Sequence, residues 1–356
     1  GAVVRGLALG GGAGLSERTA TEFRDSGIWH LLAVSGQNVT AVALAVMAVL
    51  GAAPRRPAIV VAASCVVAYV LACDGGPSVG RAAVVGLLVL GSQFTGRARS
   101  HWYALLLALV GLLAYQPRSL FDPGLHLSFA AVGGLFLLSP GIDALARGWL
   151  PRPFAVLLGA SLGAGIATAP VLALHFERLS VVGIAVNLVA VPLAAPVVVL
   201  ALVGLVADAL ADGAGRPFTA GAAAGGQALM WLARAGSAVP HGAIDVPAWS
   251  AAPLGACAAG IFIALRRGHG SLLARVGAGI TVLAVGSMLL AGPAAWPTDA
   301  EVAVLDVGQG QAVLLRDARG GAVLVDVGPP GTPAPAVDRL RRLGVQRVDL
   351  LVLTHG

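Results

Sequence analysis

Apolar runs long enough to cross a bilayer, about 17–25 residues each, recur along most of this 356-residue chain. They fall near 31–51, 57–73, 79–95, 102–116, 124–140, 154–175, 181–207, 219–239, 251–265 and 272–292, which predicts about ten spans. The fourth and ninth runs are short, and Arg234 interrupts the eighth. The seventh carries Pro192 and Pro196, which break the helical ladder unless neighbouring groups re-satisfy it. Gly159, Gly163 and Gly165 stand where small residues permit close helix contact. Ahead of the first span, residues 1–29 are mixed and polar. Ser16–Phe23 has the pattern of a short capped amphipathic helix. The glycine run Gly10–Gly14 lacks the strand-turn-helix frame of a nucleotide-binding loop. From Pro297 the pattern becomes that of a soluble domain. Glu301–Val307, Gln311–Leu315 and Ala322–Val327 read as strands, Pro335–Leu343 as a helix and Val348–Thr354 as a buried strand. The chain therefore divides into a lead-in segment (1–29), a membrane domain (30–296) and the start of an α/β domain (297–356), too short to be complete.

Composition gives the same class by another route. The chain is 57% hydrophobic and only 11% charged, with a mean hydropathy of +0.86, whereas soluble chains carry about 25% charged residues. The expected fold is a polytopic α-helical membrane protein. The net charge is +6, and all 23 basic residues are Arg. A positive balance can serve a nucleic acid, but Arg held in cytoplasmic loops is the simpler source. Arg55/Arg56, Arg97/Arg99, Arg147/Arg152, Arg216 and Arg266/Arg267/Arg275 fall in alternate loops. The positive-inside rule then puts those loops in the cytoplasm and both chain ends outside. Cys65, Cys73 and Cys257 lie in or beside apolar runs and read as small buried hydrophobes. The chain starts at Gly1 without Met and stops just after a predicted strand, so both ends read as cut.

Polar residues at apolar depth are the candidate chemistry. Ser35, Gln37 and Asn38 precede the first span and either line a water-filled path or form the wet end of an ordinary helix. Asp74 and Arg81 flank a Gly-Gly-Pro turn and either pair across it or sit in an exterior loop. Asp122, His126 and Ser128 cluster at a helix start, where Asp122 suits an N-cap before Pro123 at N1. His175 and Glu177 end a span, at a wet interface. Asn187, deep in the proline-bearing helix, is the leading candidate for a path-lining amide. Arg234 either meets a phosphate or snorkels to the nearer face. In the tail, Asp306, Gln309, Asp326 and His355 are the polar candidates. Asp306 and Asp326 each precede Val-Gly and also suit turns.

Several of these stretches resemble the ComEC family, bacterial inner-membrane proteins of DNA uptake. His30-Leu31-Leu32-Ala33-Val34-Ser35-Gly36 resembles the signature that opens its competence domain. That pattern commonly continues Leu-His, where this chain has Gln37-Asn38. Leu120–Phe129 and Asn187–Leu193 resemble the family's second and third landmarks. Asp306–Gly310 and Asp326–Gly328 resemble the entry to its metallo-β-lactamase-like domain, with Leu353-Thr354-His355 leading into the metal motif. Gln311 stands where that family usually has Asp.

The resemblance implies a channel carrying single-stranded DNA across the bacterial cytoplasmic membrane, the carboxy-terminal domain lying outside. For such a channel, the polar residues at apolar depth make Ser35, Gln37, Asn38, His126 and Asn187 the pore-lining candidates, and Arg81 and Arg234 the DNA-contact candidates. His355 would be the first ligand of a Zn or Mn site in the full-length protein, with Asp306 and Asp326 supporting it from beneath. One histidine cannot hold Zn²⁺, which takes three or four protein ligands, so no catalysis and no bound cofactor are expected of these residues alone. Partners implied are single-stranded DNA, the bilayer, a DNA receptor and an ATP-driven helicase. Two other functions fit the pattern: a membrane-anchored metallohydrolase or nuclease, and a small-solute transporter. Complete metal ligands beyond Gly356 would favour the first, and inverted repeats the second.

Overall fold

The computed structural model describes residues 2–11, 14–33, 36–51, 53–73, 77–95, 101–267, 276–281, 283, 299–305, 307, 310–328, 336–337, 339–340, 343–345 and 347–354, without the side chains of Glu17, Pro77, Ser78, Arg81, Ser92, Gln93, Thr95, His101 and Arg267. Two units, Gly1–Ala278 and Gly279–Gly356, are distinct.

The first unit is helical. Its elements are α1 (Ala2–Leu9), α2 (Glu17–Asp25), α3 (Gly36–Val49), α4 (Arg55–Ala72), α5 (Pro77–Thr95), α6 (His101–Tyr115), α7 (Pro123–Leu137), α8 (Ser139–Ala146) and α9 (Arg152–Phe176), then α10 (Gly183–Leu210), α11 (Arg216–Ser237) and α12 (Ala251–Arg267). A short antiparallel ribbon pairs β1 (Arg178–Ser180) with β2 (Ala243–Asp245). Local chemistry fixes several boundaries. Ser16 Oγ accepts the Thr19 N–H at 3.3 Å and caps α2. Asp122 Oδ1 accepts the Gly124 N–H at 2.8 Å, and Pro123 takes the first helical position of α7. Glu177 stops α9 in the left-handed region at φ 51°, its N–H returned to Leu172 O.

Among the described residues, four helices are long and apolar enough to cross a membrane: Arg55–Ala72, Arg152–Phe176, Gly183–Leu210 and Ala248–Arg266. Helices α7 and α8, bent by 46°, make a fifth if the pair is counted as one span. Gly36–Val49, Ala82–Gly91 and Trp102–Tyr115 are apolar but shorter. Only 17–28% of the residues in the four spans are buried, so most of their apolar surface faces outward. In water that surface would be costly; in lipid it is not.

Two sequence expectations, for the eighth and seventh runs, meet a different outcome, and a third is not tested. The eighth run became α11, whose buried residues Ala222, Gly226, Leu229, Ala233 and Gly236 form one small-residue face, and it is not among the spanning helices. Alanine and glycine raise apolar composition without making a helix greasy all round. The tenth run lies mostly outside the described residues. The seventh is one continuous helix through Pro192 and Pro196 rather than a broken one. Each proline deletes a ladder bond, but Ala190, Ala194, Val197 and Val198 around them are packed and buried.

Packing centres on α10 and α11, whose buried residues join Val3 and Leu7 of α1, Phe23 of α2, and Ile28, Leu31 and Leu32. A second core joins Val39, Ile59, Val66, Tyr69 and Leu90 from α3, α4 and α5. Helices α7 and α9 touch backbone to backbone. A Cβ on Gly134 would lie 2.1 Å from the Gly163 carbonyl oxygen. Gly165, expected to serve the same contact, faces open space. Gly134→Ala should therefore lower stability by about 1–3 kcal/mol through overpacking, whereas Gly165→Ala should change it by less than about 0.5 kcal/mol. Thermal unfolding of the two variants in detergent measures the contrast.

The second unit contains a four-stranded sheet of order β3 (Glu301–Val304), β4 (Val313–Arg316), β5 (Ala322–Val325) and β6 (Leu350–Val352). The first two pairings are antiparallel and β5–β6 is parallel. Leu305, Ala312, Leu314, Leu324 and Leu340 form its core. Arg316 is nearly buried, donating to Leu343 O at 2.6 Å and to Glu301 at 2.5 Å. Asp349 ties the entry of β6 to β5: its carboxylate accepts the Ala322 N–H at 2.9 Å and the Arg347 guanidinium at 2.9 Å. The Ala322 bond, then Arg347, holds its carboxyl below the ordinary 3.8. A lowered carboxyl stabilises above its ordinary value and loses that contribution as pH falls through the folded value. Acid below about pH 4 should loosen β6, and Asp349→Asn should remove that dependence, as read by amide exchange of Leu350–Val352.

Candidate functional site

The last carbonyls of a helix have no partner within it, and α1 ends inside an apolar core. Its end is capped from two other helices. Asn38 Nδ2 of α3 donates to Leu7 O at 2.6 Å, and Tyr69 Oη of α4 donates to Ala8 O at 2.6 Å. Asn38 is 6% exposed, so its amide is a structural cap on α1. Its neighbour Gln37 reaches the other way, donating Nε2 to Val191 O of α10 at 2.9 Å. Val191 immediately precedes Pro192, in the stretch of α10 that lacks ladder donors. One turn earlier stands Asn187, partly exposed, its Oδ1 buried and without a hydrogen-bond partner among the described residues. An amide oxygen so placed attracts water or a polar ligand. Gln37 of α3 thus meets α10 one helical turn along from Asn187, a residue 150 positions away in sequence.

Charged side chains near the lead-in segment are paired. Glu22 of α2, 11% exposed, accepts from Arg18 at 3.0 Å and from Arg234 of α11 at 3.3 Å. Arg178 of β1 bridges Asp25 at 2.8 Å and Asp245 of β2 at 3.3 Å. Arg234, weighed above as a phosphate contact, is therefore partly committed to Glu22. His126 stands at the start of α7, with Nε2 2.7 Å from Leu120 O and Nδ1 3.4 Å from His175 Nε2.

In the second unit Asp326, at φ 57°, accepts the Thr354 N–H at 2.8 Å and the Thr354 hydroxyl at 2.5 Å. Its two oxygens hold Thr354, the residue before His355. Among the described residues no group of three or more His, Cys, Asp or Glu side chains is arranged for a metal ion. Ser35, Asp74, Asp306, Gln309, His355 and the side chain of Arg81 lie outside the described residues.

Sequence reasoning passed over Tyr69, Arg178 and the pairing of His126 with His175. A lone tyrosine inside an apolar run was the available signal for Tyr69: a buried hydroxyl needs a partner. The other two contacts join distant segments and leave no local trace. Removing the cap should be costly. Asn38→Leu leaves Leu7 O unpaired and should destabilise the protein by about 1–3 kcal/mol, with Tyr69→Phe at the lower end of that range. Denaturation of both single variants and the double variant tests whether the two caps act together.

This arrangement belongs to a mainly helical protein with several helices apolar enough for a membrane, with polar contacts gathered around a proline-bearing helix. The chain matches the competence protein family over residues 7–269 and belongs to it. It is 32% identical over 194 residues to ComE operon protein 3 of Bacillus subtilis (strain 168), covering 53% of this chain and 24% of that one. It is likewise 32% identical over 374 aligned residues to competence protein ComA of Neisseria gonorrhoeae, covering 99% of this chain and 50% of that one. The chain thus spans between a quarter and half the length of these curated relatives. No solved structure matches it. Family membership ties the chain to competence.

Proposed function

We propose that this chain is the membrane part of a channel that moves single-stranded DNA across the bacterial cytoplasmic membrane. The observation that carries the reading is the bond from Gln37 to Val191 O, beside the unpartnered Asn187 oxygen. It joins two sequence landmarks of the family at a polar point on an otherwise apolar helix. Amides are suited to such a path: they offer water-like contacts to phosphates and sugars without binding them tightly. Carboxylates would repel the strand, and the long apolar helices α4, α9 and α10 carry none in their central turns.

The proposed topology has about ten spans: the four long helices, the bent pair and the three shorter apolar helices give eight, and α11 and the run near 272–292 would complete the count. The Arg-rich loops face the cytoplasm and both chain ends lie outside. The carboxy-terminal sheet is the proposed start of a metallo-β-lactamase-like domain. Its Zn or Mn site would begin at His355 and be supported by Asp306 and Asp326, and a receptor and a helicase would act as partners on either side.

Replacing Gln37 or Asn187 by Leu should leave insertion intact, because Leu favours the bilayer more than either amide. DNA entry should fall about tenfold, as expected for loss of about 1.4 kcal/mol of contact along the path, while DNA binding at the cell surface persists. Val206→Leu, on an exposed position of α10, is the control. Equal transformation by all three variants at equal expression would defeat the assignment. Topology has a separate test. Single cysteines at Arg56 and Arg267 should resist a membrane-impermeant thiol reagent in intact cells, and one at Gly320 should react. The reverse pattern would invert the orientation.

A further inference from the structure

We infer that His126 and His175 form a one-proton binding site that clasps the start of α7 to the end of α9 and releases in acid. The two rings are 5.5 Å apart between centres, and the facing nitrogens are 3.4 Å apart. The nitrogens therefore point at one another along the line joining the rings. The geometry is that of an N–H···N hydrogen bond.

The proton count follows from a third contact. Leu120 O, 2.7 Å from His126 Nε2, is an acceptor only, so that nitrogen carries a proton. In the neutral pair His126 Nδ1 is then a lone pair, and His175 Nε2–H donates to it. The next proton binds His175 Nδ1. The facing N–H stays in place and becomes a charge-assisted donor, so the clasp tightens. A second added proton can go only to His126 Nδ1. Two N–H donors and two positive charges would then face each other at 3.4 Å, and the rings must part. The bridge thus exists with no added proton, is strongest with one, and is lost with two.

Neighbouring charges do not substitute for it. Asp122 is the N-cap of α7, bonded to the Gly124 N–H. Arg178 is held by Asp25 and Asp245. Arg118 and Tyr115 flank the short turn Pro117–Phe121 that carries Leu120, and Glu177 ends α9. Arg81 lies on α5, and its side chain is outside the described residues. On α8, Asp143 and Arg147 pair with each other. Arg152 starts α9, about 35 Å along the helix from His175. Asp208 near the end of α10 holds Gly215, and Arg266 and Arg267 close α12, where Leu265 meets Gly141 of α8. The clasp involves α7, α9 and the turn before α7 alone, so it stands or falls independently of the DNA-channel reading.

The test uses purified full-length protein and hydrogen–deuterium exchange over residues 117–127, with protection corrected for the intrinsic pH dependence. As the pH is lowered from 7.5 towards 4.5, protection should pass through a maximum with one added proton and fall about tenfold from it with two, the worth of one hydrogen bond to a charged group. His175→Ala should give the low protection at both pH values. His175→Gln should stay protected at both, since an amide can donate to the neutral His126 ring or accept from the charged one. Histidine ¹⁵N resonances give a second readout: those of His126 should shift in the His175→Gln protein and titrate together with His175 in the native protein. Flat protection in the native protein, unchanged protection in His175→Ala, or independent titration of the two rings would each overturn the clasp.

Discussion

The first unit is organised around two backbone carbonyls. Leu7 O and Ala8 O end a short helix inside an apolar core, where no water is at hand to take their lone pairs. Asn38 and Tyr69 supply the two donors from separate helices. That requirement fixes α3 and α4 against α1, and α1 itself is packed against α10 and α11. With α3 held this way, the preceding side chain, Gln37, reaches a carbonyl on α10. The polar contact proposed to matter for transport is thus a by-product of satisfying a buried helix end.

Much of this is legible locally. The cap at Ser16, the Asp122–Pro123 start of α7, the long apolar helices and the three strands of the tail follow from residues close in sequence. The cysteines also read correctly from their apolar settings, Cys73 and Cys257 being buried and Cys65 partly so. What is not legible depends on partners far along the chain. Pro192 and Pro196 look like breaks in isolation, but the helix around them is continuous because its flanks are packed. Arg234 looks like a loose cation until Glu22, 212 residues away, is placed beside it. Gly159 and Gly163 read correctly as close-contact positions and Gly165 does not, since composition alone cannot tell which side of a helix meets a neighbour. The alanine- and glycine-rich α11 reads as a span only when apolar count is weighed above face.

The family landmarks gain a physical meaning from these contacts. The first leads straight into Gln37 and Asn38, where this chain departs from the family's usual Leu-His, the third supplies Val191 and Asn187, and the second supplies Leu120 and His126. None forms a catalytic constellation by itself. Each provides a polar group that ends or joins helices where apolar side chains could not.

The bridge from Arg178 to Asp25 and Asp245 constrains how such a protein can change over generations. One cation serves two carboxylates, one of them 67 residues along the chain and the other farther away still, on the amino-terminal side. Loss of Arg178 first would leave two facing anions, whereas neutralising either aspartate first leaves a serviceable pair. Substitutions at the three positions are therefore ordered. Natural variants should reach a neutral version of this joint through the carboxylates, so that chains lacking the arginine but retaining both acids are rarer than independent change would produce.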